Sequence, residues 1–118
     1  REGLTVAVAH LSLGARSRHA QLAFIAELLQ DHPNAVLMGD FNCLPDQPEM
    51  EVLYRRTGLR PPECAVPTFP SWRPQRAIDH ILVGGDLRCA GARALPAAFS
   101  DHLALAMDIE VPEAALRT

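Results

Sequence analysis

Apolar residues along the chain fall into short runs with two different periods, and those periods separate strands from helices. The first run, Leu4-Thr5-Val6-Ala7-Val8-Ala9-His10-Leu11, alternates large and small side chains and is β-branched at Thr5, Val6 and Val8. It predicts a strand buried on both faces, with His10 near its C-terminal end. From Ala15 to Gln30, Leu22, Ile25, Leu28 and Leu29 recur at helical spacing, while Arg16, Arg18, His19, Glu27 and Gln30 take the other faces. Asp31-His32-Pro33 ends that helix. Ala35-Val36-Leu37-Met38 is wholly apolar, as expected of a central strand, and Gly39-Asp40-Phe41-Asn42 follows as its loop.

A second helix fits Pro48 to Thr57, with Asp46 or Gln47 near its start, Pro48 and Glu49 in its first turn and Gly58 just past its end. Prolines at 61, 62, 67, 70 and 74 mark an irregular stretch. Ala77 to Val83 then reads as a strand, Gly84-Gly85-Asp86 as a turn, and Leu103 to Val111 as a final strand of period two. No internal repeat or linker divides the chain.

Composition narrows the class. With 118 residues, 48% apolar and 21% charged, the chain has the profile of one globular domain and not of a disordered segment. No apolar run approaches the roughly 20 residues that cross a bilayer, and no leader pattern opens the chain, so a cytoplasmic protein is expected. The first residue, Arg1, suggests that something precedes it. Cys43, Cys64 and Cys89 are far apart and form no metal-type pair, which fits reduced thiols. A net charge of −3 argues against broad affinity for nucleic-acid phosphates without excluding a nuclease.

Against that background a few polar residues stand out. Asp40 and Asn42 lie two apart, and in extended backbone they would face a common point beyond a buried strand. An aspartate can take a proton from an attacking water, and a carboxamide can orient that water or a phosphate oxygen. The same pair also makes an ordinary Asx turn. Asp79 interrupts an apolar strand, so its charge needs a partner, and His102 is the candidate. His102 could equally be an incidental exposed histidine after an N-terminal cap from Ser100 or Asp101, and Asp101 could bind a hard divalent cation, although one carboxylate is too few for a tight site. His10 could contact a phosphate oxygen or be a satisfied core residue. Trp72, with Arg73 and Arg76, could stack on a base or clamp a phosphate, or could simply pack as a lid.

In order, the chain presents His10-Leu11-Ser12, Arg18-x-x-Gln21, Gly39-Asp40-Phe41-Asn42, Thr68-Phe69-Pro70, Ile78-Asp79-His80-Ile81 and Ser100-Asp101-His102. This set resembles the C-terminal half of the endonuclease/exonuclease/phosphatase superfamily, from about Leu4 to Val111. The resemblance implies an α+β protein of the DNase I-like four-layer αββα sandwich. Residues 1–118 would supply only the C-terminal part of one domain, a mixed β-sheet with helices on one side, and the N-terminal half would lie outside the chain. It implies a phosphoesterase using Mg²⁺, or Mn²⁺ in its place, on a nucleic acid, phospholipid or sugar phosphate, and the acidic charge with no basic or aromatic-rich stripe along the chain favours a bacterial stand-alone hydrolase over a DNA-repair enzyme.

By the same resemblance Asp40, Asn42, Asp79, His102 and His10 are catalytic, while Asn42, His10 and Arg76 touch substrate and Asp101 and Asp40 hold metal. Members of the family are about twice as long, and their first half brings an asparagine and a glutamate to the metal that this chain does not show. The chain alone is therefore expected to be weakly active or inert, and to self-associate or pair with the missing half. A noncatalytic module that binds a phosphorylated ligand or a protein is the alternative.

Overall fold

The computed structural model describes residues 3–116. Strand β1 (Thr5–His10) leads through a short loop into α1 (Ala15–Leu29) and then β2 (Ala35–Asp40). A 3₁₀ turn (Pro48–Met50) runs directly into α2 (Glu51–Arg56), followed after a long loop by β3 (Asp79–Val83). Strands β4 (Arg88–Leu95) and β5 (Ala104–Glu110) form a hairpin, and a last 3₁₀ turn covers Glu113–Leu116. β1, β2 and β3 make one mixed sheet in that order, β1 parallel and β3 antiparallel to β2, while β4 and β5 pair antiparallel as a separate ribbon. The result is a small α+β fold with mixed strand directions, compatible with part of the expected sandwich.

The helices lie on one face of the sheet. Leu22, Ala26 and Leu29 of α1 and Leu53 of α2 pack with Ala35, Leu37 and Leu82, and with the small residues Ala7 and Ala9 of β1. On the opposite face Val36, Met38, Ile81 and Val83 meet Met107 and Ile109 of β5. That cover does not extend over β1, where Val6 is 55% and Val8 77% exposed. β1 is therefore not buried on both faces as its sequence predicts. Its alternation of large and small residues instead reflects one face under helices and one facing water.

Elements differ from the sequence reading for local reasons, and the strand read from Ala77 begins at Asp79. Gly39 and Asp40 belong to β2 and not to a loop, because they pair with Ala9 and His10 on one side and with His80 and Asp79 on the other. Gly39 has φ 143°, and a Cβ there would lie 1.8 Å from the Ala9 carbonyl oxygen, so only glycine lets the two backbones approach so closely. The second helix starts as a 3₁₀ turn after Gln47, with Pro48 at its first position. β4 has no apolar period to announce it: all its residues but Ala94 are exposed, and the ladder is interrupted between Ala90 and Arg93, where Gly91 has φ 66°. Among the described residues no helix is long and apolar enough to cross a membrane.

Candidate active site at the end of the sheet

Strand register assembles the site. His10 pairs with Asp40, and Asp40 pairs with Asp79, so three polar residues form one row across the end of the sheet. Directly paired residues project to the same side, and side chains two apart along a strand share that side. The row therefore ends the face that carries Val8, Met38 and Ile81, away from the helices. An open groove on that face is lined by Val8, Met38, Asp40, Asp79, Ile81 and Leu103.

Asp79 is held from two directions on one oxygen. Thr68 Oγ1 donates to its Oδ2 at 2.6 Å, and His102 Nδ1 lies 2.7 Å from the same atom. With its carboxylate partner on Nδ1, the imidazole turns Nε2 toward Asp40, whose Oδ2 is 3.7 Å away. His10 Nε2 stands at 3.7 Å from that same oxygen. Both separations exceed a hydrogen bond, so Asp40 faces two imidazoles without being bonded to either. The His102 ring is further located by Phe69, whose centroid is 4.9 Å away, and its backbone N–H donates to Ser100 Oγ at 3.1 Å. Burial by itself would lower the His102 pKa. The hydrogen bond and charge of Asp79, with the charges of Asp40 and Asp101, outweigh it and hold the ring above its ordinary value.

Asn42 is placed by a turn and not by extended backbone. Its φ is 51°, its N–H donates to Asp40 Oδ1 at 2.9 Å, and its Nδ2 donates to the Leu11 carbonyl at 2.6 Å. The Asx geometry and a role in orienting ligands are thus not exclusive, because the carboxamide oxygen is not the atom spent on Leu11. Leu11 N–H in turn donates to the Asp40 carbonyl at 2.8 Å, which binds the β1 exit to the β2 exit.

Other predicted site residues stand further out. Asp101 is exposed, its carbonyl accepts from the Ser71 N–H at 2.7 Å, and it is outside the group of metal-type side chains that converge. That group is Asp40, Asp79 and His102, one ligand atom from each lying within 4.8 Å of the others. Arg76 is also exposed, and its backbone closes the loop against Thr68 and Phe69. His10 is largely exposed, with no buried partner of the kind a core histidine needs.

Two supporting residues had no role assigned from sequence. Thr68 is fully buried and anchors Asp79, and a buried hydroxyl upstream of a strand carries no periodic signal. Arg18, expected on a helix surface, is buried instead. Its Nε and Nη2 donate to Glu49 Oε2 at 2.9 and 2.6 Å, and Nη1 donates to the Ser12 carbonyl at 3.3 Å and to the Leu13 carbonyl. The Arg18–Glu49 pair fastens the loop after β1 to the 3₁₀ turn before α2.

Comparison with known proteins assigns the chain to a class. Residues 6–102 match the model of the endonuclease/exonuclease/phosphatase family, and the chain belongs to that family. No curated protein gave a significant match. Among solved structures, the fold is similar to a functionally unknown conserved protein from Enterococcus faecalis V583, at 22% identity and a TM-score of 0.69. That match covers 87% of this chain and 48% of the other, so the chain spans about half the length of the protein it matches.

Proposed function

We propose that the chain carries the catalytic residues of a metal-dependent phosphoesterase, with His102 and Asp79 as the reacting pair and Asp40 as the base. The observation that carries this reading is the convergence of His102, Asp79 and Asp40, all within the stretch that matches the family. Asp40 and Asp79 bring oxygen donors, the chemistry that suits a hard divalent cation such as Mg²⁺, which often takes only one or two carboxylates beside water and substrate. Asp79 is committed to Thr68 and His102, so Asp40, with Asp101 nearby in sequence to His102, would hold the ion. A bound cation would supply positive charge that polarises the phosphoryl group.

The chain's own residues account for the other steps. Asp40 accepts the proton of the attacking water. Asn42, its N–H and Nδ2 already fixed, presents its carboxamide oxygen to orient that water. His10 and Arg76 contact phosphate oxygens. His102 is kept in one orientation by Asp79, and its raised pKa keeps more of it as imidazolium, suited to steadying charge on phosphorus or to protonating the departing oxygen. The substrate is a phosphate ester: nucleotide, phospholipid or sugar phosphate.

The open β1 face and the half-length match to the E. faecalis protein support a further point. We infer that the complete site includes residues outside this chain, and that the chain alone turns over substrate slowly. Hydrolysis of bis(p-nitrophenyl) phosphate with Mg²⁺ and with EDTA tests the reading, for the chain and for the chain with any upstream sequence its gene encodes. Activity should require the cation, and Asp40→Ala and His102→Ala should each lower it by about a hundredfold or more. Full activity in either variant would overturn the assignment, and cation-dependent phosphate binding without turnover would favour a noncatalytic module.

A further inference from the structure

The loop that supports the catalytic pair also carries the chain's one tryptophan. Thr68 at its base touches Asp79, and Phe69 lies against the His102 ring. The loop is closed by Arg76, which exchanges backbone hydrogen bonds with Phe69 at 3.0 and 3.2 Å, and by Thr68 N–H donating to the Arg76 carbonyl at 3.0 Å. At its tip, Arg73 N–H donates to the Pro70 carbonyl at 3.1 Å, so Pro70-Ser71-Trp72-Arg73 forms a β-turn with Trp72 third. Trp72 is 76% exposed although the backbone around it is fixed.

A second exposed aromatic sits on the adjoining loop. Ser71 reaches across to the loop before β5, its N–H donating to the Asp101 carbonyl and its Oγ to the Ser100 carbonyl, both at 2.7 Å. Those two bonds join the loops at the positions next to Trp72 and Phe99, and Phe99 is 96% exposed. Both loops lead straight into site residues: Phe69 is three positions before Trp72, and His102 is three after Phe99. Three residues span at most about 11 Å even when extended, so the aromatic rim lies within the reach of one nucleotide from His102.

From Cys64 to Arg76 the loop has two arginines, Arg73 and Arg76, and no carboxylate. Asp101, whose carbonyl accepts from the Ser71 N–H, is the acidic residue on the adjoining loop at that junction. We propose that Trp72, Phe99 and Arg73 form a stacking subsite for the aromatic base of a nucleotide-type phosphate ester whose phosphate lies at Asp40 and His102. The proposal rests on the phosphoesterase reading above and names its substrate class. Base faces stack on aromatic rings and on guanidinium planes whatever the base. A bilayer surface would also accept exposed aromatics, but it draws on several basic residues acting together. Here the chain is acidic at −3 and offers two arginines on this loop.

Because the protein has a single tryptophan, its fluorescence reports Trp72 alone. The chain is titrated with adenosine 5′-monophosphate, ribose 5-phosphate, a short single-stranded oligonucleotide, and phosphatidylcholine/phosphatidylglycerol vesicles. Quenching by the nucleotide or the oligonucleotide, with ribose 5-phosphate at least tenfold weaker, supports the subsite. Whichever of the two binds more tightly identifies the source of the base. Calorimetry should show about tenfold weaker nucleotide binding for Trp72→Ala, and a smaller loss for Phe99→Ala. Equal response to ribose phosphate and nucleotide, or a blue shift with vesicles and none with nucleotide, overturns it. The two readings fail separately: nucleotide quenching with turnover indifferent to Asp40→Ala removes the catalytic assignment, and Asp40-dependent turnover without quenching removes the subsite.

Discussion

Replacing Glu49 with alanine tests how strongly the buried ion pair holds the loop behind the site. Arg18 is 8% and Glu49 7% exposed, and two of the guanidinium donors end on one carboxylate oxygen. Without Glu49 the guanidinium stays charged, because arginine does not lose its proton in proteins, and two of its donors lose their acceptor. Removing one partner of a buried pair costs about 3–5 kcal/mol. A domain of this size shifts its melting temperature by about 4 °C per kcal/mol, so a drop of about 12–20 °C is expected. The pH dependence follows from Glu49. Burial alone would raise its carboxyl, but its own backbone N–H and the Arg18 guanidinium outweigh burial and hold it below the ordinary value of 4.5. A carboxyl lowered in the fold contributes stability above its unfolded value and loses it as pH falls through the folded value. The gap between wild type and Glu49→Ala should therefore narrow as pH falls below about 4.5, as thermal unfolding followed by circular dichroism across pH would show. The joint change to Arg18→Met and Glu49→Met should recover much of the loss, because it leaves no unpaired charge. A Glu49→Ala variant within about 1 kcal/mol of wild type would refute the reasoning, since that is the value of an exposed pair.

Further expectations follow from single features. Burial pushes the Cys43 thiol up to about 11, whereas Cys64 and Cys89 are exposed, so a thiol reagent should titrate two groups in the native protein and the third only on unfolding. Gly39→Ala places a Cβ against the Ala9 carbonyl in a backbone conformation that only glycine adopts readily, and should cost more than about 3 kcal/mol, read as loss of soluble folded protein. Val8→Glu should abolish any concentration-dependent self-association seen by sedimentation, with no loss of thermal stability, because Val8 is 77% exposed. A wild-type chain that stays monomeric at high concentration would remove the premise.

The elements nearest the core were the most legible in the sequence, because their apolar periods are set by the same packing that forms them. Helix α1 extends from Ala15 as its spacing predicts, and ends one residue before the expected Gln30. What the pattern did not carry were effects of neighbours in space. Whether Val6 and Val8 are covered depends on what lies across β1, and the alternation is the same in either case. β4 pairs only through backbone and leaves nearly every side chain in water, so no period marks it. Arg18 reads as a surface residue until Glu49, 31 positions on, supplies its partner. In the candidate site the pairing of Asp79 with His102 was readable, because a carboxylate in an apolar strand demands a partner, but Thr68 as its second anchor was not.

Register explains why the open face and the site are one problem. With period two, the residues that share a side with His10, Asp40 and Asp79 are Val8, Met38 and Ile81, so the strands that present the site necessarily present an apolar surface beneath it. Any element that packs on Val8 and Met38 must approach the rim where Asp40 stands, and would bring its own end residues to that rim. Covering the face would also exclude water beside Asp40 and His102, which strengthens every charge interaction between them. The same packing would therefore both stabilise the sheet and raise the chemical competence of the row. Stability and activity should rise together when that face is covered, and a Val8→Glu substitution should weaken both in the covered protein while leaving the uncovered chain as stable as before.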